Sequence, residues 1–249
     1  TNGAFDVAIY PVMKAWGFTD GNYQVPDTDI LKATLELADP SLIDYDKETS
    51  TVSFKKDGVQ IDLGGIAKGY TSSRIMDIYR EKGVTSGLVN LGGNVQALGT
   101  KTDGSKWRVA IQGVEDDDSY LGVLSISDKA VITSGGYERY FEQDGKRYHH
   151  IINPATGYPA ESGLISVTVV SADGTLADGL STACYVLGLD DSMALWQNYG
   201  NGGTFGGEKI APFDLIMMTD TCDVYVTEGI AQSFGSGYDV HIIEREDKV

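Results

Sequence analysis

Short apolar runs alternate along the chain with turn-forming clusters, a pattern that predicts strands with a few helices set among them. Pro26-Asp27-Thr28-Asp29, followed by Ile30, Leu31, Ala33, Leu35 and Leu37, predicts a capped helix ending near Asp39-Pro40. Thr51–Phe54, the Asp57-Gly58 turn and the apolar stretch 59–63 read as a hairpin. Gly64-Gly65 then opens a second helix over 66–81, with Ile66, Tyr70, Ile75, Ile78 and Tyr79 at near-helical spacing and Gly83 at its stop. Strands are predicted at 88–91, 107–111, 121–126 and 130–133, and a hairpin at 137–142 and 146–152 around Asp144-Gly145. After the two-proline loop Asn153-Pro154-Ala155-Thr156-Gly157-Tyr158-Pro159 come a β-branched strand at 165–170 and helices at 176–187 and 190–199. A glycine-rich loop at 200–207 and strands near 214–218, Val224–Thr227 and Val240–Ile243 complete the pattern.

Helices fall between hairpins rather than alternating one-for-one with strands, so the fold class is α+β with mixed or antiparallel sheets. No shift in composition cuts the chain, and one domain over 1–249 is expected. Charge narrows the function. Lys and Arg total 19 against 36 Asp and Glu, for a formal charge of −17, which argues against nucleic acid or an anionic membrane face as partner. No apolar run approaches the roughly 18–20 residues of a membrane span. Cys184 and Cys222 form no C-x-x-C pair, which disfavours a cysteine zinc site. Cys184 lies in an apolar stretch and reads as a buried thiol, while a disulfide between the two stays open.

Three segments could carry chemistry. In Asp62-Leu63-Gly64-Gly65-Ile66-Ala67-Lys68-Gly69-Tyr70 a glycine turn runs into a helix, whose N-terminal N–H groups suit an anion. Lys68 in that first turn opposes the helix dipole, which a bound phosphate would explain, and a solvated lysine on an ordinary turn is the plainer alternative. The segment is neither a P-loop nor a dinucleotide fingerprint. In Ala177-Asp178-Gly179-Leu180-Ser181-Thr182, Asp178 and Thr182 stand four apart on one helix face and offer two hard oxygens, suited to Mg²⁺ or Ca²⁺. Helix capping by Asp178 is the alternative, and Gly179 to Ala183 as a relaxed serine-hydrolase elbow is a rival. In His149-His150-Ile151-Ile152-Asn153-Pro154, strand geometry sends the two imidazoles to opposite faces, so one of them could serve as a general base or both could be structural.

Taken in order, Asp62 to Tyr70, Asn90-Leu91-Gly92-Gly93-Asn94, Thr133-Ser134-Gly135-Gly136-Tyr137-Glu138-Arg139, His150-Ile151-Ile152-Asn153-Pro154-Ala155-Thr156-Gly157 and the Asp178 segment resemble the ApbE family, the FAD:protein FMN transferases. The opening Gly3-Ala4-Phe5-Asp6 is similar to a further family segment. The resemblance covers Thr1 to about Thr182 and implies an ApbE-like, T-fold-like architecture. It also implies Mg²⁺-dependent transfer of FMN from FAD to a Thr or Ser hydroxyl of an acceptor protein, with release of AMP. Metal ligands carry over to Asp178, Thr182 and the carbonyl of Gly65. Contacts to FAD carry over to Ala4, Phe5, Asp6, Asp62, Lys68 and Ile151, and the base to His150. Hydrolysis of FAD to FMN and AMP, or flavin binding without catalysis, are the alternatives the same motifs serve.

Asn153 stands where the family usually has Asp, and Gly136 where Asp, Asn or Ser is frequent, but neither replaces a ligand. The family's segment before Gly-Ala-Phe-Asp is expected to be missing here. By the same resemblance the full protein is expected outside the cytoplasmic membrane, as an anchored lipoprotein whose acceptor is an electron-transfer subunit. No acceptor-like stretch occurs in the chain, so it does not resemble its own substrate.

Overall fold

The computed structural model describes residues 1–114, 119–205 and 207–246. Its helices are α1 (Tyr10–Ala15), α2 (Thr28–Leu35), α3 (Ala67–Glu81), α4 (Gly174–Leu187), α5 (Leu189–Tyr199) and α6 (Glu228–Ala231). The strands, in chain order, are β1 (Ile43–Asp46), β2 (Thr51–Phe54), β3 (Gly87–Leu91), β4 (Asn94–Leu98), β5 (Trp107–Gln112), β6 (Tyr120–Ile126), β7 (Ala130–Gly135) and β8 (Tyr140–Gln143). They continue with β9 (Lys146–His149), β10 (Leu164–Ser171), β11 (Gly203–Phe205), β12 (Glu208–Ile210), β13 (Phe213–Thr219), β14 (Val224–Thr227), β15 (Phe234–Gly235) and β16 (Val240–Ile243). The fold is α+β, as the element pattern predicts. The described residues gather into two compact units, one within Thr1–Gly64 and Gly136–Glu161, the other within Gly65–Gly135 and Ser162–Val249.

The second unit is built on a seven-stranded sheet of order β16-β14-β13-β10-β7-β4-β3. Its pairs are antiparallel except β14 with β16, which is parallel. β10 lies near the middle, and its run Leu-Ile-Ser-Val-Thr-Val-Val-Ser is buried almost throughout, as expected of a strand covered on both faces. A smaller sheet, β15-β6-β5, contributes Ile111 and Leu124 to a core shared with Val170, Ile216 and Val226. β5 shows the simpler alternation, with Val109 and Ile111 inward and Arg108 and Ala110 outward. Across the larger sheet lies α4, which packs on β7, β10 and α3.

The first unit holds two hairpins, β1-β2 and β8-β9, and a core of Val12, Trp16, Phe18, Leu31 and Ile152. Phe141 and Tyr148 pack on Trp16, whose indole N–H donates to the Gly157 carbonyl at 2.8 Å. The Asp144-Gly145 hairpin forms as expected, with both turn residues at positive φ (53° and 76°) as a two-residue type I′ turn needs.

Two expectations from the sequence fail. The Asp57-Gly58 turn does not fold 59–63 back on β2. Instead β2 pairs with β1, from Ile43 opposite Phe54 to Asp46 opposite Thr51, and Asp62 donates its N–H to the Val7 carbonyl at 2.7 Å. A turn dipeptide fixes a reversal, and tertiary contacts choose which strands pair across it. The loop expected at 200–207 contains β11, paired with β12. The short helix α1, with Pro11 in its first turn, is not signalled by the hydrophobic pattern.

Candidate functional site

α3 begins at Ala67, directly after the glycine turn, and its first-turn N–H groups lack partners within the helix. One finds a partner in α4: the Gly69 N–H donates to Asp178 Oδ2 at 2.8 Å. The approach is close because Gly69 has no side chain. A Cβ there would lie 2.6 Å from Asp178 Cβ and 2.8 Å from the Gly174 carbonyl carbon. Ile66 touches the same stretch of α4, since a Cβ on Gly179 would meet its Cγ2 at 3.3 Å. The second unit thus brings Ile66 and Gly69, at the start of α3, beside Asp178 and Gly179 of α4.

Asp178 does not cap its own helix. Asp173 does so, accepting the Leu176 N–H at 3.1 Å, and Asp178 sits a turn further on, buried. Burial is the main influence on its carboxyl and pushes it above the usual carboxylate range. The Gly69 N–H, the Asn94 amide and the Lys68 ammonium act in the opposite direction. Asn94 is placed by the Leu91-Gly92-Gly93-Asn94 hairpin, whose two glycines take φ 58° and 93°. Lys68 extends to the same turn and donates to the Gly92 carbonyl at 3.4 Å. Asn94 is 2% exposed, and although its amide lowers Asp178 it reaches no acceptor at hydrogen-bond geometry, so Nδ2 is buried without a partner. Such an orphan marks a place where a ligand group would be welcome.

Hydroxyls line the adjoining side. Ser181 Oγ donates to the Asp178 carbonyl at 2.8 Å, Ser134 Oγ lies 2.8 Å from Ser181 Oγ, and Thr182 Oγ1 lies 3.3 Å from Ser134 Oγ. These bonds, and the position of Ser181 inside α4 with no exposure, remove the serine-hydrolase reading, which needs an exposed nucleophile at a strand-to-helix turn. Cys184, on the same helix, is buried with its thiol pushed up to about 11 by burial, and both cysteines are free.

Among the described residues no group of three or more His, Cys, Asp and Glu side chains could hold a metal. The donors the resemblance names are one carboxylate, one hydroxyl and one carbonyl, all hard oxygens, of which the structure sets the Asp178 carboxylate beside the Asn94 amide. That set is poor for zinc and fits Mg²⁺, which keeps waters and takes substrate phosphate oxygens alongside one or two carboxylates.

The remaining candidates named from the sequence fall in the first unit. Asp6 caps the short turn after it through the Ala8 N–H at 2.8 Å, and burial raises its carboxyl. Phe5 and Ala4 precede it, half-buried. The Asp62 N–H bonds to Val7, so these two segments adjoin, and Asp62 Oδ1 accepts the Gly64 N–H at 2.6 Å. His150 lies just past β9 with Nδ1 on the Arg139 carbonyl at 3.1 Å. A carbonyl only accepts, so Nδ1 carries the hydrogen and the neutral ring has its lone pair on Nε2. Ile151 is buried, and its carbonyl accepts the Ala160 N–H at 2.9 Å. Sequence reasoning assigns no role to Gly69, Asn94 or Ser134. A signal exists for each, since all three stand inside family-like motifs, Asp62 to Tyr70, Asn90 to Asn94 and Thr133 to Arg139.

Comparison with known proteins identifies the family. The ApbE family model matches residues 1–204. A FAD:protein FMN transferase of Klebsiella pneumoniae (strain 342) is 42% identical over 193 residues, covering 78% of this chain and 60% of that protein. One from Treponema pallidum (strain Nichols) is 38% identical over 213 residues, covering 80% of this chain and 59% of its own length. The chain therefore spans about three fifths of these curated relatives. Among solved structures, the ApbE protein of Thermotoga maritima superposes with a TM-score of 0.80 at 35% identity, covering 92% of this chain and 71% of that one. The apo flavinyl transferase ApbE of Pseudomonas stutzeri gives 0.76 at 31%, covering 95% and 70%.

Proposed function

The chain belongs to the ApbE family, and from that premise we propose that it takes part in transferring FMN from FAD to a Thr or Ser hydroxyl of an acceptor protein, with AMP as the leaving group. The observation that carries this reading is the buried Asp178 carboxylate, set against the first turn of α3 beside Thr182 and the orphaned Asn94 amide. A buried carboxylate raised by desolvation is the kind of group a divalent cation stabilises in its ionised form.

Asp178, Thr182 and the Gly65 carbonyl would hold Mg²⁺, which when bound supplies Lewis-acid polarisation of the FAD pyrophosphate. The protein's acidity leaves neutralisation of that dianion to local groups. Lys68 supplies positive charge at the glycine turn. In the first unit, Ala4, Phe5, Asp6, Asp62 and Ile151 are the residues we assign to FAD. His150 accepts the acceptor hydroxyl's proton at Nε2. The hydroxyl oxygen forms a bond to the phosphorus of the FMN moiety, the P–O bond to AMP breaks, and AMP departs with the electron pair.

Mass spectrometry of an acceptor domain incubated with the protein, FAD and Mg²⁺ tests the reading. Covalent FMN on a Thr or Ser, lost in Asp178→Ala, is the expected result. Free FMN with an unmodified acceptor replaces transfer by hydrolysis, and FAD recovered intact leaves a flavin-binding protein. By the same resemblance we place the reaction outside the cytoplasmic membrane, on an electron-transfer acceptor. Among the described residues no helix is long and apolar enough to cross a membrane.

A further inference from the structure

The hydroxyls around Thr182 have a direction that donor counting determines. Each hydroxyl carries one hydrogen and two lone pairs. Ser181 Oγ lies 2.8 Å from the Asp178 carbonyl, which can only accept, so the Ser181 hydrogen is committed there. In the 2.8 Å contact between Ser134 and Ser181 the donor must then be Ser134. Ser134 has no second hydrogen, so in its 3.3 Å contact with Thr182 the donor is Thr182. The order runs Thr182 to Ser134 to Ser181 to the backbone of α4.

We propose that Ser134 is a positioning residue for Thr182: by accepting the Thr182 O–H it holds that hydrogen against β7 and leaves the Thr182 oxygen presenting lone pairs alone. A hydroxyl that coordinates a cation must do this, because a hydrogen turned toward the ion repels it. Without that acceptor, nothing among the described side chains holds the Thr182 hydrogen against β7, and it can turn to the ligand side. Ser134 touches neither ion nor flavin in this scheme and acts through Thr182. Its place on β7, in the strand that packs under α4, keeps the acceptor rigid, since its backbone pairs with Val167 of β10. The inference rests on the metal reading above and adds to it the residue that orients the ligand.

The test is Mn²⁺ binding to the full chain without flavin, counting free ion by electron paramagnetic resonance. Mn²⁺ serves as a hard-oxygen stand-in for Mg²⁺. Ser134→Ala is expected to weaken Mn²⁺ binding about tenfold, in proportion to one lost orienting hydrogen bond, with an unchanged circular dichroism spectrum. Ser134→Thr, which keeps the hydroxyl, restores affinity. Ser181→Ala also weakens binding, because it frees the Ser134 hydrogen to turn on Thr182, and it carries the same test should Ser134→Ala fail to fold. Wild-type affinity in Ser134→Ala, or no rescue by Thr, overturns the inference while Asp178→Asn still abolishes uptake. Mn²⁺ uptake that is absent, or indifferent to Asp178→Asn, overturns the metal reading and the inference together.

Discussion

The backbone N–H of Gly69 and the side chain of Asp178 meet at 2.8 Å, so the first turn of α3 is capped by a carboxylate 109 residues away on another helix. Each partner depends on the other: a larger residue at 69 or a side chain without an oxygen at 178 would break the contact. The glycine lets the helices approach, and the carboxylate satisfies the N–H that the approach would otherwise strand.

Gly69→Ala should therefore be destabilising although alanine is the better helix former. The new methyl would meet Asp178 and the Gly174 backbone, and backbone cannot rotate away. A loss of about 2–3 kcal/mol is expected by urea denaturation, together with weaker Mg²⁺ binding. A variant as stable as the wild type would show that α3 and α4 have slack at their crossing.

Asp178→Asn should separate stability from binding. Burial raises the folded carboxyl above its ordinary 3.8, so its contribution favours folding below that value and is lost as pH rises through the folded one. Once ionised, the group is thus a burden on the metal-free protein. The amide variant keeps an oxygen for the Gly69 N–H. Its melting temperature in metal-free buffer should equal or exceed that of the wild type, and Mg²⁺ should raise the melting temperature of the wild type only. Differential scanning fluorimetry with and without the ion measures both.

His149 should make the protein acid-sensitive. Its Nε2 contacts the Ala160 carbonyl at 3.1 Å and its Nδ1 accepts the Ile151 N–H at 3.3 Å, an arrangement that suits the neutral ring. Burial holds the imidazole below its ordinary 6.5. With a depressed folded value, its stabilising contribution is complete above 6.5 and is lost as pH falls through the folded value. Between about pH 7 and about pH 5 the wild type should lose melting temperature faster than His149→Gln. Parallel curves for the two proteins would exclude His149 as the sensitive group.

His150→Ala should act on turnover. With Nδ1–H anchored on Arg139, the proposed mechanism uses Nε2 as the base, and its removal should lower kcat roughly a hundredfold or more. The KM for FAD should change little. An unchanged kcat would assign the proton to another group.

The sequence carried the four longer helices and most strands because their signals are local. Asp27 caps α2, Gly83 follows α3, and Asp144-Gly145 turns between strands that pair with each other. Asp57-Gly58 carries the same turn signal and misleads, because β1, four residues alternating apolar and acidic, offers β2 a better partner. Helical spacing puts Asp178 and Thr182 on one face, but spacing says nothing of what faces them. Asn94 is brought beside Asp178 by a hairpin and Ser134 beside Thr182 by a sheet, and no local pattern in either segment encodes that proximity.

The crossing at Gly69 has a consequence for biosynthesis. Its two sides are contributed by residues 66–69 and 174–182, with β3, β4, β7 and β10 threaded between them in the chain. During translation the earlier side leaves the ribosome long before the later one exists. A nascent polypeptide that has reached the end of β7 carries the glycine turn, the lysine and the Asn94 hairpin, yet lacks the carboxylate and hydroxyl that would make them an ion trap. On the proposed metal reading, ion capture is thereby reserved for chains elongated past Thr182.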